Sequence, residues 1–142
     1  MEWMILPLKR YAEFTGRARP KEYWMYVLFL ILCYMALGIV ESALGLGQTD
    51  RWAWHQGWSM GAGANHSGGP LVALFWVATL VPSIAVGVRR LHDTDRSGWW
   101  LLLGFVPFIG WLVLFIFMVM GGTRGPNRFG PDPVAADEGR HI

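Results

Sequence analysis

The residues in this chain whose types invite chemistry are few, and they sit in short polar stretches. His92 is followed directly by Asp93, and a carboxylate beside an imidazole can orient and charge it for proton transfer. Adjacent side chains rarely face one another, however, and no nucleophile motif accompanies the pair, so structural pairing in a tight loop is the favoured reading. His55 and His66 stand without further ligand-type neighbours and do not make a metal site, so neither a metal nor a cofactor is expected. Cys33, the single cysteine, reads as a small apolar residue within an apolar run. A carboxylate at membrane depth is a functional candidate by default, but Glu41 lies close enough to the end of its run to reach headgroup water. What remains is cationic. Arg17, Arg19 and Lys21 form one cluster and Arg89, Arg90 and Arg96 another, with Glu22, Asp93 and Asp95 available as charge partners. The planar fork of arginine suits a carboxylate or a phosphate in bidentate fashion. These six cations are therefore the candidate site for anionic lipid headgroups.

The elements that must position them are apolar. Tyr23–Ala43, Pro70–Val88 and Trp99–Met120 each approach the ~20 residues a helix needs to cross a ~30 Å hydrocarbon core. In hydrocarbon every backbone donor and acceptor must be satisfied within the segment, so such runs are read as helices. The composition agrees, with 54% hydrophobic residues, nine Trp and only 15% charged residues. The sequence thus predicts an all-α integral membrane protein, a single membrane domain over residues 1–142 with three transmembrane helices at about 23–43, 70–88 and 99–120. Residues 1–22 form a cytoplasmic and interfacial segment, in which Leu8, Tyr11 and Ala12 opposite Lys9, Arg10 and Glu13 predict a short amphipathic helix starting at Pro7. Met1–Leu8 has no basic n-region and too short an apolar stretch for a signal peptide, so the first span is expected to serve as the insertion signal.

Residues 44–69 read as an external loop rich in glycine and in interfacial tryptophan, including Trp52, Trp54 and Trp58. Residues 89–98 form a short cytoplasmic loop, with Ser97 or Asp95 as a cap for the third helix, and 121–142 a polar tail whose turn signals predict order. Basic residues before the first span and in the 89–98 loop outnumber those of the 44–69 loop and the tail by two to one, which predicts a cytoplasmic N-terminus and an external C-terminus. Pro82 with Ser83, and Gly104, Pro107 and Gly110, mark kinks. A break of the third run at 105–110 would leave too short a remainder to span, so one kinked crossing is expected.

Three polar blocks flank the runs: FTGRARPKEYW at 14–24, RRLHDTDRSGWW at 89–100 and GTRGPNRFGPDP at 122–133. In their order and content they resemble the YhaH/YhaI-type small bacterial inner-membrane proteins, the domain-of-unknown-function family eight-hundred-and-five. The chain departs from that pattern at Pro20, where a basic residue is usual, at Asp95, often glycine in the family, and in its longer 44–69 loop. The resemblance implies a multispanning bacterial inner-membrane protein and no activity.

On these residues the leading expectation is a non-enzymatic protein of assembly or interaction, with membrane lipids, a second copy of itself or another membrane protein as partner and no nucleic acid. A subunit of a small oligomeric transporter or channel is the alternative, disfavoured because only Ser42, Thr79 and Ser83 supply polarity in or near the spans. A membrane enzyme acting on a lipid phosphate comes third, for want of a nucleophile or metal triad.

Overall fold

The computed structural model describes residues 2–46, 48–56 and 59–138. Trp58 and the tail residue Arg140 lie outside the described residues, as do the side chains of Trp52, Trp54, His55 and His66. The elements are α1 (Glu2–Lys9), α2 (Pro20–Leu44), β1 (Gln48–Gln56), β2 (Ser59–Ser67), α3 (Pro70–Asp93), a 3-10 helix (Gly98–Phe105), α4 (Ile109–Val119) and α5 (Pro133–Glu138). They form two compact units, one of residues 1–29 and 79–142 and one of residues 30–78.

Two helices, α2 and α3, are long and apolar enough to cross a membrane, and α4 is a shorter apolar helix. Pro20 opens α2, where its missing N–H costs nothing, and Glu22 in the first turn complements the helix dipole. Leu28, Ile31, Leu32, Met35 and Ile39 of α2 are all exposed. A surface of that kind is matched to hydrocarbon rather than to water. In α3, Pro82 removes one backbone hydrogen bond, and beside the gap the Ser83 hydroxyl donates to the Thr79 carbonyl at 2.6 Å, with the Tyr26 hydroxyl 3.3 Å away.

At the N-terminus the helix comes earlier than expected. It covers Glu2–Lys9, with Pro7 inside it and fully buried, and residues 10–12 form a turn.

In the second unit the segment expected as a loop contains an antiparallel hairpin, in which Gln48 pairs with Ser67 and Gln56 with Ser59. Thr49 and Trp52 are residue types that favour strands, and pairing satisfies the backbone groups of the glycine-rich partner strand. Glu41 also departs from expectation. It is fully buried, and its carboxylate accepts hydrogen bonds from the backbone N–H groups of Gly69 (2.7 Å), Leu71 and Val72 (3.0 Å). The first N–H groups of a helix have no partner within it, so a carboxylate placed there completes α3 and meets the positive end of its dipole. A Cβ on Gly69 would lie 2.9 Å from that carboxylate and 2.7 Å from the Leu46 carbonyl, so glycine is required for the approach.

The third apolar run is not the single helix expected over 99–120. Val106 is extended (φ −94, ψ 105), the conformation imposed on a residue before proline, and Phe108 has a positive φ of 62. The 3-10 helix and α4 therefore fold back on each other as an antiparallel hairpin. Trp100 meets Phe117 edge-to-face at 5.5 Å near the open end, and Gly104 faces Leu114. Near the turn, the Leu103 carbonyl occupies the space that a Cβ on Gly110 would need. The glycines at 104 and 110 thus admit the other arm of the same run.

Candidate functional site

Arg89, Arg90 and Asp93 close the last turn of α3, and helical spacing sends the two arginines in different directions. Arg89 reaches the first turn of α2, donating from Nη1 to Glu22 Oε1 at 2.9 Å. Arg90 and Asp93, one turn apart, bond to each other, Nη1 to Oδ2 at 2.7 Å. The other oxygen of Asp93 accepts from Arg17 Nε at 3.0 Å. One carboxylate thus bridges two guanidinium groups, and all three residues are buried.

The C-terminal block supplies the remaining acceptors. Arg17 donates to the carbonyls of Gly125 (2.6 Å) and Thr123, and Arg90 to those of Met118 (3.3 Å) and Met120. The Thr123 backbone N–H and hydroxyl both donate to the Asp93 carbonyl, at 2.8 and 3.1 Å, and Asn127 Nδ2 donates to the His92 carbonyl at 2.9 Å. Gly122 passes so close to the Asp93 carboxylate that no Cβ would fit there. Asn127 and Gly130 exchange both backbone bonds, which closes the Arg128–Phe129 turn, and Gly130 has the positive φ (138) that favours glycine. Asp132 accepts from the backbone N–H groups of Val134 and Gly125, which hold its carboxyl below the ordinary carboxylate value. A lowered folded-state value means that this contribution to stability is present at neutral pH and is lost as pH falls through that lowered value.

All three polar blocks therefore meet in one clasp, with Arg17 from the first, Arg90 and Asp93 from the second and the 123–132 turns from the third. Desolvating charged groups is costly, and it is repaid only where nearly every donor has an acceptor. Arg17 and Arg90 meet that condition. Arg89 does not: its Nε and Nη2 are buried with no hydrogen-bond partner among the described residues.

His92 and Asp93 do not pair. The imidazole stacks on the Phe129 ring at 3.9 Å, and its Nδ1 lies 3.1 Å from the Gly16 carbonyl, while Asp93 faces the arginines. The sequence reading placed Phe129 in an ordered tail but offered no signal for this stacking, nor for the bond from Trp24 Nε1 to the Met118 carbonyl at 3.1 Å. The other expected site residues lie at the edge of the clasp. Arg19 and Lys21 both sit over the Trp3 ring, at 4.7 and 5.6 Å, and Arg96 sits over Phe117 at 4.0 Å.

Ser97 occupies the cap position of the 3-10 helix but makes no side-chain cap bond. Asp95 pairs instead with Arg128 at 3.2 Å and has a positive φ of 58, a conformation that favours glycine. Asp95→Gly is expected to change stability by less than about 1 kcal/mol, because relief of backbone strain offsets the loss of an exposed ion pair. A thermal melt of the purified variant checks this.

Beside the clasp lies a pocket of about 450 Å³ lined by Arg17, Asp93, Thr123, Arg124 and Asp132. Among the described residues, no three His, Cys, Asp or Glu side chains gather as metal ligands would.

The blocks that build the clasp also relate the chain to known proteins. Inner membrane protein YhaH of Escherichia coli (strain K12) is 44% identical over 133 residues, which cover 94% of this chain and 97% of that protein. Inner membrane protein YhaI of the same strain is 43% identical over 133 residues, covering 94% and 96%. Uncharacterized protein YiiR is 30% identical over 119 residues, covering 61% of this chain. No solved structure matches. Residues 11–131, which hold nearly all of the three polar blocks, match the family described as "Protein of unknown function (DUF805)", and the chain belongs to that family.

Proposed function

We propose that this protein is a non-enzymatic, multi-pass inner-membrane protein with a cytoplasmic N-terminus, and that its clasp end binds the phosphate of an anionic lipid headgroup through Arg89. The observation that carries this reading is the pair of unpartnered donors on Arg89. Nε and Nη2 form the edge of the guanidinium that holds phosphate in bidentate fashion, and leaving such donors buried without an acceptor is costly. Arg17 and Arg90, by contrast, have spent their donors on Asp93 and on carbonyls. The backbone N–H of Ala18 donates to the Arg89 carbonyl at 2.9 Å, which brings the Arg17–Lys21 stretch alongside. Arg19 and Lys21 near the Trp3 ring then add attraction to an anionic leaflet, roughly 1 kcal/mol each. With α1 beside these cations, the N-terminal segment is suited to the headgroup plane. Binding is better supported than catalysis, since His92 is stacked and Asp93 is doubly ion-paired.

Native mass spectrometry of the purified full-length protein tests the reading with Arg89→Lys. That substitution keeps a cation for Glu22 and removes the bidentate edge. Because hydrogen bonds to charged groups contribute about 1.5–3 kcal/mol each, retention of anionic lipid is expected to fall at least tenfold, with retention of zwitterionic lipid unchanged. Equal retention of anionic lipid by wild type and variant would exclude Arg89 as the site.

A further inference from the structure

We infer that residues 99–120 do not cross the bilayer but form a re-entrant hairpin, whose partner is the acyl chains of a single leaflet, so that the C-terminal block returns to the face that carries the N-terminal block. Three observations converge on this.

The first is connectivity at the open end. The chain leaves α3 at Asp93 and enters the hairpin at Gly98, whose backbone lies against Val88. It leaves the hairpin at Met118–Met120, whose carbonyls accept from Arg90, and Thr123 then bonds back to Asp93. Entry and exit are therefore fastened to the same end of α3. A single crossing would separate them by the thickness of the membrane.

The second is length and surface. Eight residues of 3-10 helix and eleven of α helix each rise about 16 Å, half of a ~30 Å hydrocarbon core. The tip side chains Phe105 and Phe108 are 86% and 80% exposed, and along the arms Leu102, Trp111, Leu112 and Phe115 are exposed as well. Several polar backbone groups near the tip find partners within the hairpin, as a water-free environment favours. Val106 N–H donates to the Leu103 carbonyl, Gly110 N–H to Val106 and Leu112 N–H to Phe108, while Trp111 Nε1 donates to the Gly104 carbonyl at 2.9 Å. Pro107, at the apex, has no N–H to leave unpaired.

The third is charge. With the hairpin re-entrant, Arg124 and Arg128 join the lysines and arginines of residues 9–21 and 89–96 on one side of two crossings, a stronger bias than three crossings allow. This inference puts the 121–133 block on the N-terminal side, in place of the external side expected from the sequence.

The inference rests on the chain being membrane-inserted but not on which face is cytoplasmic. In the full-length chain with Cys33→Ser, single cysteines at Ala12→Cys, Arg124→Cys, Val134→Cys and Met60→Cys are to be probed with a membrane-impermeant maleimide on intact cells and after lysis. Arg124→Cys and Val134→Cys are expected to label with Ala12→Cys, and Met60→Cys oppositely. If the set is labelled from outside while Met60→Cys is protected, the orientation is inverted and the hairpin stands. Arg124→Cys and Val134→Cys labelling oppositely to Ala12→Cys would overturn the hairpin. Phe105→Cys is expected to resist the probe on lysed membranes and to react in detergent; reaction on lysed membranes would mean that the tip is not in the acyl chains.

Discussion

Asp93→Ala is expected to be the most damaging single substitution in the chain, lowering stability by about 3–5 kcal/mol. The carboxylate is the shared acceptor of Arg17 and Arg90, and both side chains are buried. Its removal leaves two guanidinium groups facing each other without their common counterion, and the carbonyl ligands from the C-terminal block cannot neutralise them. Asp93→Asn should be intermediate, since the amide keeps one acceptor and loses the charge. The measurement is thermal unfolding of the purified protein in detergent, together with limited proteolysis after Thr123, because the same groups hold the C-terminal turns in place. If Asp93→Ala melted with wild type and resisted protease equally, the clasp would not be what holds the three blocks together.

Glu41→Ala is the second large effect. Its carboxylate accepts from three backbone N–H groups at the start of α3, and the site is fully buried, so alanine leaves donors without partners at a cost of about 2–3 kcal/mol. Glu41→Gln retains one acceptor oxygen and should lose less. Hydrogen exchange read by mass spectrometry gives the local signature: amides 69–72 are expected to exchange faster in Glu41→Ala, with the clasp amides near Thr123 unaffected. Unchanged exchange at 69–72 would show that the carboxylate is not the cap of α3.

These two carboxylates also show how far the sequence can be read. For Asp93, pairing with an arginine was legible, because two arginine-rich blocks and few acids leave little choice of partner. The competing His92–Asp93 dyad was equally legible and is not formed, since neighbouring residues on a helix point about 100° apart and Phe129, far along the chain, offers His92 a stacking face. Glu41 read as a headgroup-facing residue because its distance from the end of the run is all that hydropathy records. The free N–H groups of α3 that capture it lie beyond a long intervening segment, and that segment read as a loop because glycine and tryptophan carry turn and interface signals as readily as strand signals.

Membrane character and the charged ends follow from the order of residues alone. Two runs of apolar residues long enough to cross hydrocarbon leave no other stable environment for their exposed surface, and the order of the polar blocks identifies the family. The direction of the third run depends on contacts made in the folded chain. Hydropathy counts residues and is blind to where the chain turns, and Pro107 by itself is compatible with a kink as well as with a reversal. The reversal is set by the glycine at 110, which lets the Leu103 carbonyl approach, and by Arg90, whose guanidinium binds the carbonyls at the end of the run and holds that end at the terminus of α3 from which the run departs.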